Sequence, residues 1–426
     1  MKRIAVIGSG ISGLAVAHAL APRTRLTLYE AGAHFGGHAH TVDLELQGRR
    51  HGVDTGFLVF NHRTYPRLTA LFDTLGVATA AADMSFSVQV PQQGLEWSGS
   101  SLNSVFAQRR NLLRPRFLGM LAQILRFNRL ATGLAEAGDD AALIEPLGEF
   151  LARHRFGAAF RDFYLLPMLG CIWSCPTDQM LRFPVATMLR FCHNHGLLQV
   201  HDRPQWMSVR GGSREYVRRI VEALPDARLR CPVRSVRRTT AGAVIRTDAG
   251  SEHVDEVVFA CHSDQALALL ADPQAEEQAL LGAIRYQPNV AVLHTDIGML
   301  PRRRLAWAAW NYERAADAAA EQGAVCLHYL INRLQPLPWR TPVIVSLNPA
   351  RPIDPRHVHG RFDLSHPVFD GAAIAAQRRL PSLQGQRHTW FCGAWTRYGF
   401  HEDGLMSGEA VAGALGARLD TERAAA

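Results

Sequence analysis

RIAVIGSGISGLAVAHALAPRTRLTLYE, residues 3–30, decides the fold of the first part of the chain. Residues 3–8 are mostly apolar and predict a buried strand, and the small and apolar residues at 11–21 predict a helix. Residues 25–30 predict a second strand that ends on an acid. A strand, a helix and a second strand in this order begin a doubly wound α/β fold.

The turn between the first strand and the helix carries the motif GxGxxG, formed by Gly8, Gly10 and Gly13. Gly8 makes the tight turn, Gly10 leaves room for a pyrophosphate beside the helix N-terminus, and Gly13 lets the helix pack closely on the strand. Glu30 ends the second strand, where a carboxylate accepts hydrogen bonds from ribose hydroxyls. The full context therefore predicts dinucleotide binding rather than a plain α/β core.

A second pair of glycines favours FAD over NAD. Gly36 and Gly37 lie just past the second strand, and an extended FAD is longer than one glycine turn can cover. Taken alone, the pair could also be a simple turn. Residues 52–61, GVDTGFLVFN, add an acid between glycines at the end of another predicted strand. Together these features predict FAD as the permanent cofactor.

The composition is that of a globular protein with more than one core. The chain has 426 residues, of which 47% are apolar and 20% charged. Its net charge is +8, and Lys2 is the only lysine, so the basic residues are almost all arginine. Because no recognition motif accompanies this charge, we expect no nucleic-acid partner. Seven cysteines without a CxxC pair suit reduced thiols in a cytoplasmic protein.

The domains are predicted to be discontinuous. After about residue 62 the glycine-rich pattern gives way to apolar helical segments, and a glycine turn into an amphipathic helix resumes it near residue 204. The predicted dinucleotide-binding domain comprises residues 1–62, 204–268 and 386–420. The predicted substrate domain comprises residues 63–203 and 269–385. Residues 421–426 are predicted to be a disordered tail.

Eight segments spread over nearly the whole chain resemble one protein family. They are GSGISG (8–13), GGHAHTVD (36–43), VDTGFLVFNHRTYPRL (53–68), DMSFSV (83–88), IWSCP (172–176), FCHNHGLLQ (191–199), RPQW (203–206) and YGFHEDGLMSG (398–408). They resemble the flavin-containing, amine-oxidase-like proteins of bacteria, which look related to the amino-terminal domain of plant cyclopropane fatty acid synthases. This resemblance implies a Rossmann-like FAD-binding domain of the glutathione-reductase and amine-oxidase type, with a discontinuous α+β substrate domain. It also implies an association with methyltransferases that modify acyl chains.

The resemblance assigns further residues to the cofactor. The backbone of Val233 corresponds to the strand that holds the adenine, and the amides of 404–406 correspond to those at the flavin pyrimidine edge. His38 and Ala394 stand where amine oxidases usually have an arginine and an acid. The predicted cofactor-binding residues are Gly8, Ser9, Gly10, Ile11, Ser12, Gly13, Glu30, Gly36, Gly37, His38, Thr55, Gly56, Phe57, Val233, Gly393, Asp403, Gly404, Leu405 and Met406.

The same resemblance raises a problem for amine oxidation. Many flavin amine oxidases place a lysine near flavin N5, and Lys2, at the start of the first strand, cannot take that place. The polar residue that corresponds most closely is Asn289. Trp173, Trp395 and Tyr398 could form an aromatic cage for an amine cation, or they could pack in a core.

His401 and Glu402 are the predicted catalytic residues. They precede the final predicted helix, where the resemblance implies the rim of the flavin. A histidine there could shuttle a proton near neutral pH. The alternative is that Asp403 N-caps the helix while His401 and Glu402 only hold the loop.

Two other clusters favour a structural interpretation. His193 and His195, with His201 nearby, do not share a helix face and lack further ligands at zinc spacing, so no metal is predicted. Cys171 and Cys175 could form a redox pair, but buried small apolar side chains suit them better.

We therefore expect an FAD-dependent oxidoreductase that transfers a hydride between flavin N5 and a largely apolar substrate, favouring the acyl chain of a lipid. The alternatives are a lysine-independent amine oxidase, a flavin-bearing accessory partner of a lipid methyltransferase and, more remotely, a flavin isomerase. Residues 108–130 combine six arginines with an apolar helical face, which suits either packing on the substrate domain or contact with a membrane surface. We expect a cytoplasmic protein, with peripheral contact to the inner membrane face under the second interpretation.

Overall fold

The computed structural model describes residues 1–138, 143, 145–199, 203–316 and 323–425. The strands are β1 (Arg3–Ile7), β2 (Arg25–Tyr29), β3 (Thr41–Leu46), β4 (Arg49–Asp54), β5 (Phe60–Asn61), β6 (Thr79–Ala82), β7 (Phe86–Val90), β8 (Leu95–Ser98), β9 (Trp206–Val209), β10 (Ala227–Arg228), β11 (Val233–Thr239), β12 (Gly242–Thr247), β13 (Gly250–Val254), β14 (Glu256–Phe259), β15 (Arg285–His294), β16 (Trp310–Glu313), β17 (Cys326–Leu330), β18 (Ile344–Leu347), β19 (Val358–Val368) and β20 (Thr389–Phe391). The helices are α1 (Ile11–Leu20), α2 (Pro66–Leu75), α3 (Leu102–Val105), α4 (Pro115–Ala137), α5 (Leu147–Arg153), α6 (Ala158–Phe160), α7 (Leu166–Trp173), α8 (Thr177–Met180), α9 (Val185–Asn194), α10 (Arg214–Glu222), α11 (Ser263–Leu269), α12 (Ala275–Leu281), α13 (Ile331–Leu334), α14 (Gly371–Arg379) and α15 (His401–Ala425). A π-helical segment, Arg161–Leu165, joins α6 to α7.

A parallel five-stranded sheet carries the amino-terminal motif. Its strand order is β10-β2-β1-β14-β20, and Val6 at its centre pairs with Leu28 on one side and Val258 on the other. The four residues of β14 are all buried, as expected of a strand covered on both faces. Its strands come from all three chain pieces predicted for the dinucleotide-binding domain, and the predicted α/β class with a Rossmann-like domain is confirmed.

The last helix, α15, packs directly on the first, α1. A Cβ added to Gly408 would lie 2.4 Å from the carbonyl oxygen of Ser12, and one added to Gly404 would lie 2.7 Å from Cγ2 of Ile11. Both distances are too short for a real side chain. Glycines one helical turn apart thus allow the two ends of the chain to lie against each other.

A mixed seven-stranded sheet forms the second part of the structure. Its order is β19-β15-β18-β17-β16-β7-β8, and every pair is antiparallel except β16 with β7. Successive side chains of these strands point to opposite faces. Ala291, Tyr329 and Val345 therefore face one way, toward the cavity described below. The strands of this sheet and helices α4 to α9 lie within the two chain pieces predicted for the substrate domain, and the division into domains stays a prediction.

A chain of buried polar groups crosses the other face of this sheet. The backbone amide of Asp296 donates to Nδ1 of His294 at 3.1 Å, so Nε2 of His294 carries the proton and donates to the Ser346 hydroxyl at 2.6 Å. Ser346 then donates to Nδ1 of His328 at 2.6 Å, and Nε2 of His328 donates to Glu313 at 3.0 Å. Each hydrogen-bond direction follows from the one before.

The structure differs from the predicted domain boundaries in three places. Helices α12 and α14, assigned by sequence to the substrate domain, contribute to the same buried cluster as β14 and β20. Strand β6, from the predicted substrate piece, pairs with β9. The predicted disordered tail is wrong up to Ala425, because α15 continues to that residue and Glu422 pairs with Lys2 at 3.1 Å.

The arginine-rich segment 108–130 forms a 3₁₀ turn, Arg109–Leu113, and most of α4. The apolar face of α4, which includes Phe117, Met120 and Phe127, is buried in the main core. The helix therefore packs on the protein, as one of the two interpretations predicted. Among the helices in the described ranges, none is long and apolar enough to cross a membrane.

Candidate active site

A cavity of about 710 Å³ lies between the parallel sheet and the seven-stranded sheet. Its volume is typical of small-molecule sites. The predicted residues that line it are Gly8, Ser9, Gly10, Ile11, Ser12, Glu30, Gly36, Gly37, His38, Thr55, Gly56, Phe57, Val233, Gly393 and His401. The predicted residues outside its lining are Gly13, Glu402, Asp403, Gly404, Leu405 and Met406. Turns from three distant parts of the chain thus meet at one cavity.

The three glycines of the first turn have different surroundings. Gly8 has a φ of +103°, a left-handed conformation, and a Cβ there would lie 2.8 Å from the carbonyl oxygen of Ala260. A Cβ on Gly13 would lie 2.0 Å from the carbonyl oxygen of Gly8, which explains why this residue supports close packing without lining the cavity. A Cβ on Gly10 would meet nothing within 4 Å. The N-terminus of α1 therefore opens onto free space, as an anion site requires.

Ser9 connects the two glycine turns to the acid at the end of β2. The carboxylate of Glu30 accepts hydrogen bonds from the Ser9 amide at 3.1 Å, from the Ser9 hydroxyl and from the Gly32 amide at 2.7 Å. The Gly36 amide donates to the Ser9 hydroxyl at 3.1 Å. A carboxylate offers about four lone-pair sites. Glu30 is thus held in place and keeps acceptor capacity for a ribose.

The second glycine turn packs against residues 55–57. The Phe57 amide donates to the His38 carbonyl at 2.7 Å, and a Cβ on Gly56 would lie 2.3 Å from that carbonyl oxygen. Burial, together with the neighbouring His366, lowers the pKa of His38 well below its ordinary value, so its ring is neutral. Its Nε2 is buried and has no hydrogen-bond partner among the residues that the structure describes. A buried, unpaired ring nitrogen on the cavity wall can serve a bound group.

Asp403 lies inside the first turn of α15. The helix begins at His401, and Asp403, the third residue of its first turn, accepts a hydrogen bond from the Phe400 amide at 3.1 Å. Asp403 therefore caps the helix from inside, rather than as the N-cap that was predicted. Burial raises its pKa to about 6. Gly404 packs on α1, and residues 404–406 do not line the cavity. The contact of their backbone amides with the flavin stays a prediction.

Glu402, a predicted catalytic residue, binds the backbone of another helix through its carboxylate. Its two carboxylate oxygens accept hydrogen bonds from the amides of Arg67 at 2.9 Å and Leu68 at 3.0 Å. These amides belong to the first turn of α2, which begins at Pro66. An acid at this position satisfies amides that have no partner within the helix. These hydrogen bonds join α15 to α2, and the catalytic role of Glu402 stays a prediction.

His401 lines the cavity, but it does not suit the predicted proton shuttle. Its ring stacks on Phe57, with centroids 3.7 Å apart and an interplanar angle of 13°, and its Nε2 lies 3.0 Å from the Tyr216 hydroxyl. Burial lowers its pKa to about 3. The ring is therefore neutral at physiological pH and provides a flat, fixed surface next to Phe57.

His366, which the sequence analysis missed, is held by the predicted Asn289. The Asn289 side-chain amide donates to the Gln287 carbonyl at 3.0 Å and contacts Nδ1 of His366 at 2.8 Å, while its oxygen accepts from the Asn348 side chain at 2.6 Å. Nδ1 of His366 must therefore accept, which leaves the proton on Nε2. Burial lowers the pKa of His366 to about 4. Because His366 lines the cavity and Asn289 does not, the histidine is the polar group presented there.

The far end of the cavity is apolar and aromatic. The ring of Phe191 stacks on His195, with centroids 3.9 Å apart, and on Phe400, with centroids 4.7 Å apart. Further lining side chains at this end are Leu58, Val59, Tyr65, Met84, Ile172, Leu197, Trp206, Trp310, Tyr329 and Leu347. Of the three aromatic residues predicted as a cage, Trp395 lines the cavity and Trp173 packs in the core against Phe183. The structure does not bring all three to the cavity.

The remaining predicted clusters have structural surroundings. His195 belongs to the aromatic wall, His193 lies 3.9 Å from Glu136, and His201 lies outside the described residues. Cys171 and Cys175 are free and buried, and burial raises the pKa of the Cys175 thiol to about 12. Both properties suit small apolar side chains.

Another cluster in the described chain, Glu313, Cys326 and His328, has ligand atoms within 4.8 Å of one another. Each of these atoms already has a partner. Arg351 donates to Glu313 at 2.7 Å, and the Ala350 amide donates to the Cys326 sulfur at 3.3 Å. An adjacent guanidinium disfavours a second cation at this carboxylate, and the absence of a metal remains a prediction.

Comparison with known proteins identifies the family. A family model described as flavin containing amine oxidoreductase matches residues 11–296, more than half of the chain. No curated protein matches the sequence. A cyclohexylamine oxidase from Brevibacterium oxydans IH-35A is 16% identical, with a TM-score of 0.68, over 98% of this chain and 99% of its own. A CLA-producing fatty acid isomerase from P. acnes is 16% identical, with a TM-score of 0.66, over 96% of this chain and 97% of its own. A putrescine oxidase solved with putrescine is 16% identical, with a TM-score of 0.67, over 98% of this chain and 99% of its own.

At these identities, the solved structures show a shared fold rather than a shared substrate. The family match covers the first glycine turn from Ile11 onward, the second glycine turn and most of the chain that surrounds the cavity. The chain therefore belongs to the flavin-containing amine oxidoreductases, a family of FAD-dependent enzymes.

Proposed function

We propose that the enzyme transfers a hydride between flavin N5 and a largely apolar substrate, and that this substrate is the acyl chain of a lipid. The composition of the cavity carries the proposal. Its described lining residues include no lysine or arginine, and Glu30, at the first glycine turn, is the single carboxylate among them. A charged substrate group that entered the apolar end would therefore lose its hydration without gaining an ion pair. An acyl chain has no such cost.

The opposite end of the cavity fits FAD. The open side of Gly10 and the N-terminus of α1 offer space and backbone donors for a pyrophosphate, and Glu30 offers acceptor capacity for a ribose. The unpaired Nε2 of His38 provides one more polar group on the wall. When FAD is bound it supplies the hydride chemistry itself. The protein then has to orient the substrate, exclude water and provide a few fixed polar contacts.

His366 is the polar contact that we assign to the reacting region. Asn289 and Asn348 fix its ring and leave Nε2 as a neutral donor. A neutral donor can hydrogen-bond a carbonyl or a flavin heteroatom without adding charge to an apolar cavity. His401 is neutral as well, so neither histidine requires a counter-ion. Phe191 and Phe400 form an aromatic wall that keeps water away from a bound chain.

Amine oxidation is the main alternative. Two proteins with this fold, the cyclohexylamine oxidase and the putrescine oxidase, are named for amines, whereas the fatty acid isomerase is named for an acyl substrate. Lys2, the only lysine, lies at the surface in an ion pair with Glu422. An amine oxidase built on this chain would thus have to work without a lysine. The acyl chain is the substrate that requires no group the cavity lacks.

A second alternative is that the protein is a flavin-bearing partner of a lipid methyltransferase without turnover of its own. The resemblance to the amino-terminal domain of plant cyclopropane fatty acid synthases motivates both this partner and the acyl substrate. A stable complex with such a methyltransferase, combined with no flavin reduction by any lipid, would favour the accessory role.

Anaerobic absorbance spectroscopy tests the proposal. The FAD-loaded protein is mixed with detergent-dispersed phospholipids whose chains are saturated, unsaturated or methylated, and the flavin band near 450 nm is followed. We expect at least one lipid class to bleach the oxidised flavin, or its unsaturated counterpart to reoxidise the reduced flavin. Bleaching by an amine panel, with release of hydrogen peroxide in air and no response to lipids, would overturn the proposal.

A pair of variants connects the result to the cavity. Leu197 and Leu224 are both partly buried apolar residues, but only Leu197 lines the cavity. We expect Leu197→Trp to slow bleaching by long acyl chains more than by short ones, because the larger ring narrows the apolar end. Leu224→Trp is the matched control and should leave this chain-length dependence unchanged.

A further inference from the structure

Five leucines are exposed within one short stretch of the chain. Leu102 is 80% exposed, Leu112 49%, Leu113 87%, Leu118 41% and Leu125 57%. Soluble proteins rarely leave large apolar side chains exposed next to one another without a binding role. The buried face of α4 explains the other apolar residues of this stretch but none of these five.

Two of the exposed leucines share one side of α4, and two more directly precede this helix. Leu118 and Leu125 are seven residues apart on α4, so they point the same way and lie about 10 Å apart along the helix axis. They point away from the buried side of α4, which contains Phe117 and Phe127. Leu112 and Leu113 end the 3₁₀ turn directly before α4. We call Leu112, Leu113, Leu118 and Leu125, together with Arg109, Arg110, Arg114, Arg126 and Arg129, the leucine–arginine face.

The charge of this stretch of the chain has one sign. Residues 97–135 contain no aspartate or glutamate, and they contain six arginines, five of them in the face. Arg109 donates to the Phe106 carbonyl at 2.9 Å, and Arg116 lies 5.0 Å above the Phe163 ring. Within the part of the chain that the structure describes, no ion pair joins any of the six to a carboxylate. Their positive charge is therefore available to an anionic partner.

We propose that the leucine–arginine face docks on the surface of an anionic phospholipid bilayer. The leucines would enter the boundary between head groups and acyl chains, and the arginines would bind lipid phosphates. Arginine stems can lie along apolar surface while their charged ends reach the head groups. An array of arginines around leucines, without a compensating acid, complements such a surface. The docking site rests on the proposed function for its purpose, because it would bring the enzyme to its lipid substrate.

Vesicle flotation measures this docking without turnover. The FAD-loaded protein is mixed with vesicles at low and at high salt. One set of vesicles is phosphatidylcholine alone, and the other contains about 30% of the anionic lipid phosphatidylglycerol. We expect binding to the anionic vesicles that weakens as salt rises, and little binding to phosphatidylcholine alone. Absence of binding to anionic vesicles at low salt would overturn the docking proposal.

Variants at exposed positions locate the binding surface. We expect the double variant Leu112→Ser, Leu113→Ser to lower vesicle affinity about tenfold. Arg129→Gln should lower it about fivefold. Leu229, which is 39% exposed and lies outside the face, provides the control Leu229→Ser with unchanged binding. Equal loss in the control would overturn the assignment, provided that all variants melt like the wild type.

The outcome for docking is separate from the outcome for chemistry. If detergent-dispersed lipid bleaches the flavin but vesicles do not bind, the docking proposal is wrong and the proposed function stands. If vesicles bind but no lipid bleaches the flavin, the docking proposal stands and the proposed function is wrong. Self-association of the wild type that the Leu112→Ser, Leu113→Ser variant abolishes, without vesicle binding, would assign the face to a second copy of the chain.

Discussion

Replacement of Gly408 by alanine tests the contact between the first and last helices. The added Cβ would lie 2.4 Å from the Ser12 carbonyl oxygen and 2.9 Å from the Ala15 Cβ, whereas ordinary contacts begin at 3.4 Å. The two helices must therefore separate by about 1 Å, and the obstacle is backbone that cannot rotate away. Overpacking of this kind costs about 1–3 kcal/mol.

Alanine is also more favourable than glycine within a helix, and the expected change in stability must include this gain. Replacing a helical glycine by alanine gains about 1 kcal/mol. Because the clash is with backbone, we take the upper half of the overpacking range, about 2–3 kcal/mol. We therefore expect Gly408→Ala to destabilise the protein by about 1–2 kcal/mol. Ser12 belongs to the turn that faces the cavity, so FAD affinity should fall about tenfold, the equivalent of about 1.4 kcal/mol.

Gly413, five residues further along α15, is the matched control. A Cβ there would meet nothing within 4 Å, so Gly413→Ala should raise stability by about 1 kcal/mol. Thermal melting of the FAD-free and FAD-loaded forms measures both changes, and FAD titration measures affinity. If Gly408→Ala melts at or above the wild type with unchanged FAD affinity, the assigned packing of α15 on α1 is refuted.

Three further predictions address polar groups outside the cavity. Glu402→Gln should destabilise the protein by about 0.5–2 kcal/mol, because it weakens the cap of α2, and should leave the rate of flavin reduction unchanged in stopped-flow measurements. Ser346→Ala should lower the free energy of unfolding, measured in urea, by more than Ser208→Ala does, because Ser346 joins two buried histidines whereas the buried Ser208 hydroxyl has no hydrogen-bond partner in the described part of the chain. Burial raises the pKa of Asp403 from 3.8 to about 6, so the folded protein binds this proton more tightly than the unfolded chain and loses stability as pH rises through that interval. Melting curves from pH 4 to 7 should thus show Asp403→Asn gaining stability relative to the wild type, and a constant difference would contradict the raised pKa.

Local patterns in the sequence were sufficient for the amino-terminal unit. The predicted strand and helix at 3–8 and 11–21 agree with β1 and α1 within one residue at each end. Glycine spacing and apolar runs act over a few residues, so one sequence contains all the information they need. The second glycine turn was also predicted from local sequence, and residues 55–57, which pack against it, include a glycine of their own.

Contacts between distant residues could not be predicted in this way. Glu402 was assigned to catalysis because nothing near it indicates that the amides of Arg67 and Leu68 lie beside its carboxylate. His366 was missed because only the pairing of β15 with β19 brings it to Asn289. The packing of Gly404 on α1 was not predicted, because nothing near it in the sequence indicates Ile11 as its neighbour. Each of these contacts involves a partner that no local pattern specifies.

The contact between α1 and α15 also has a consequence for biosynthesis. Strand β20 and helix α15 leave the ribosome long after β1 and α1, yet β20 completes the parallel sheet and α15 covers the helix that begins the cavity. The nascent amino-terminal βαβ unit thus lacks its edge strand and its covering helix until both have been synthesised. A ribosome-bound chain that stops before Thr389 should accordingly retain no FAD.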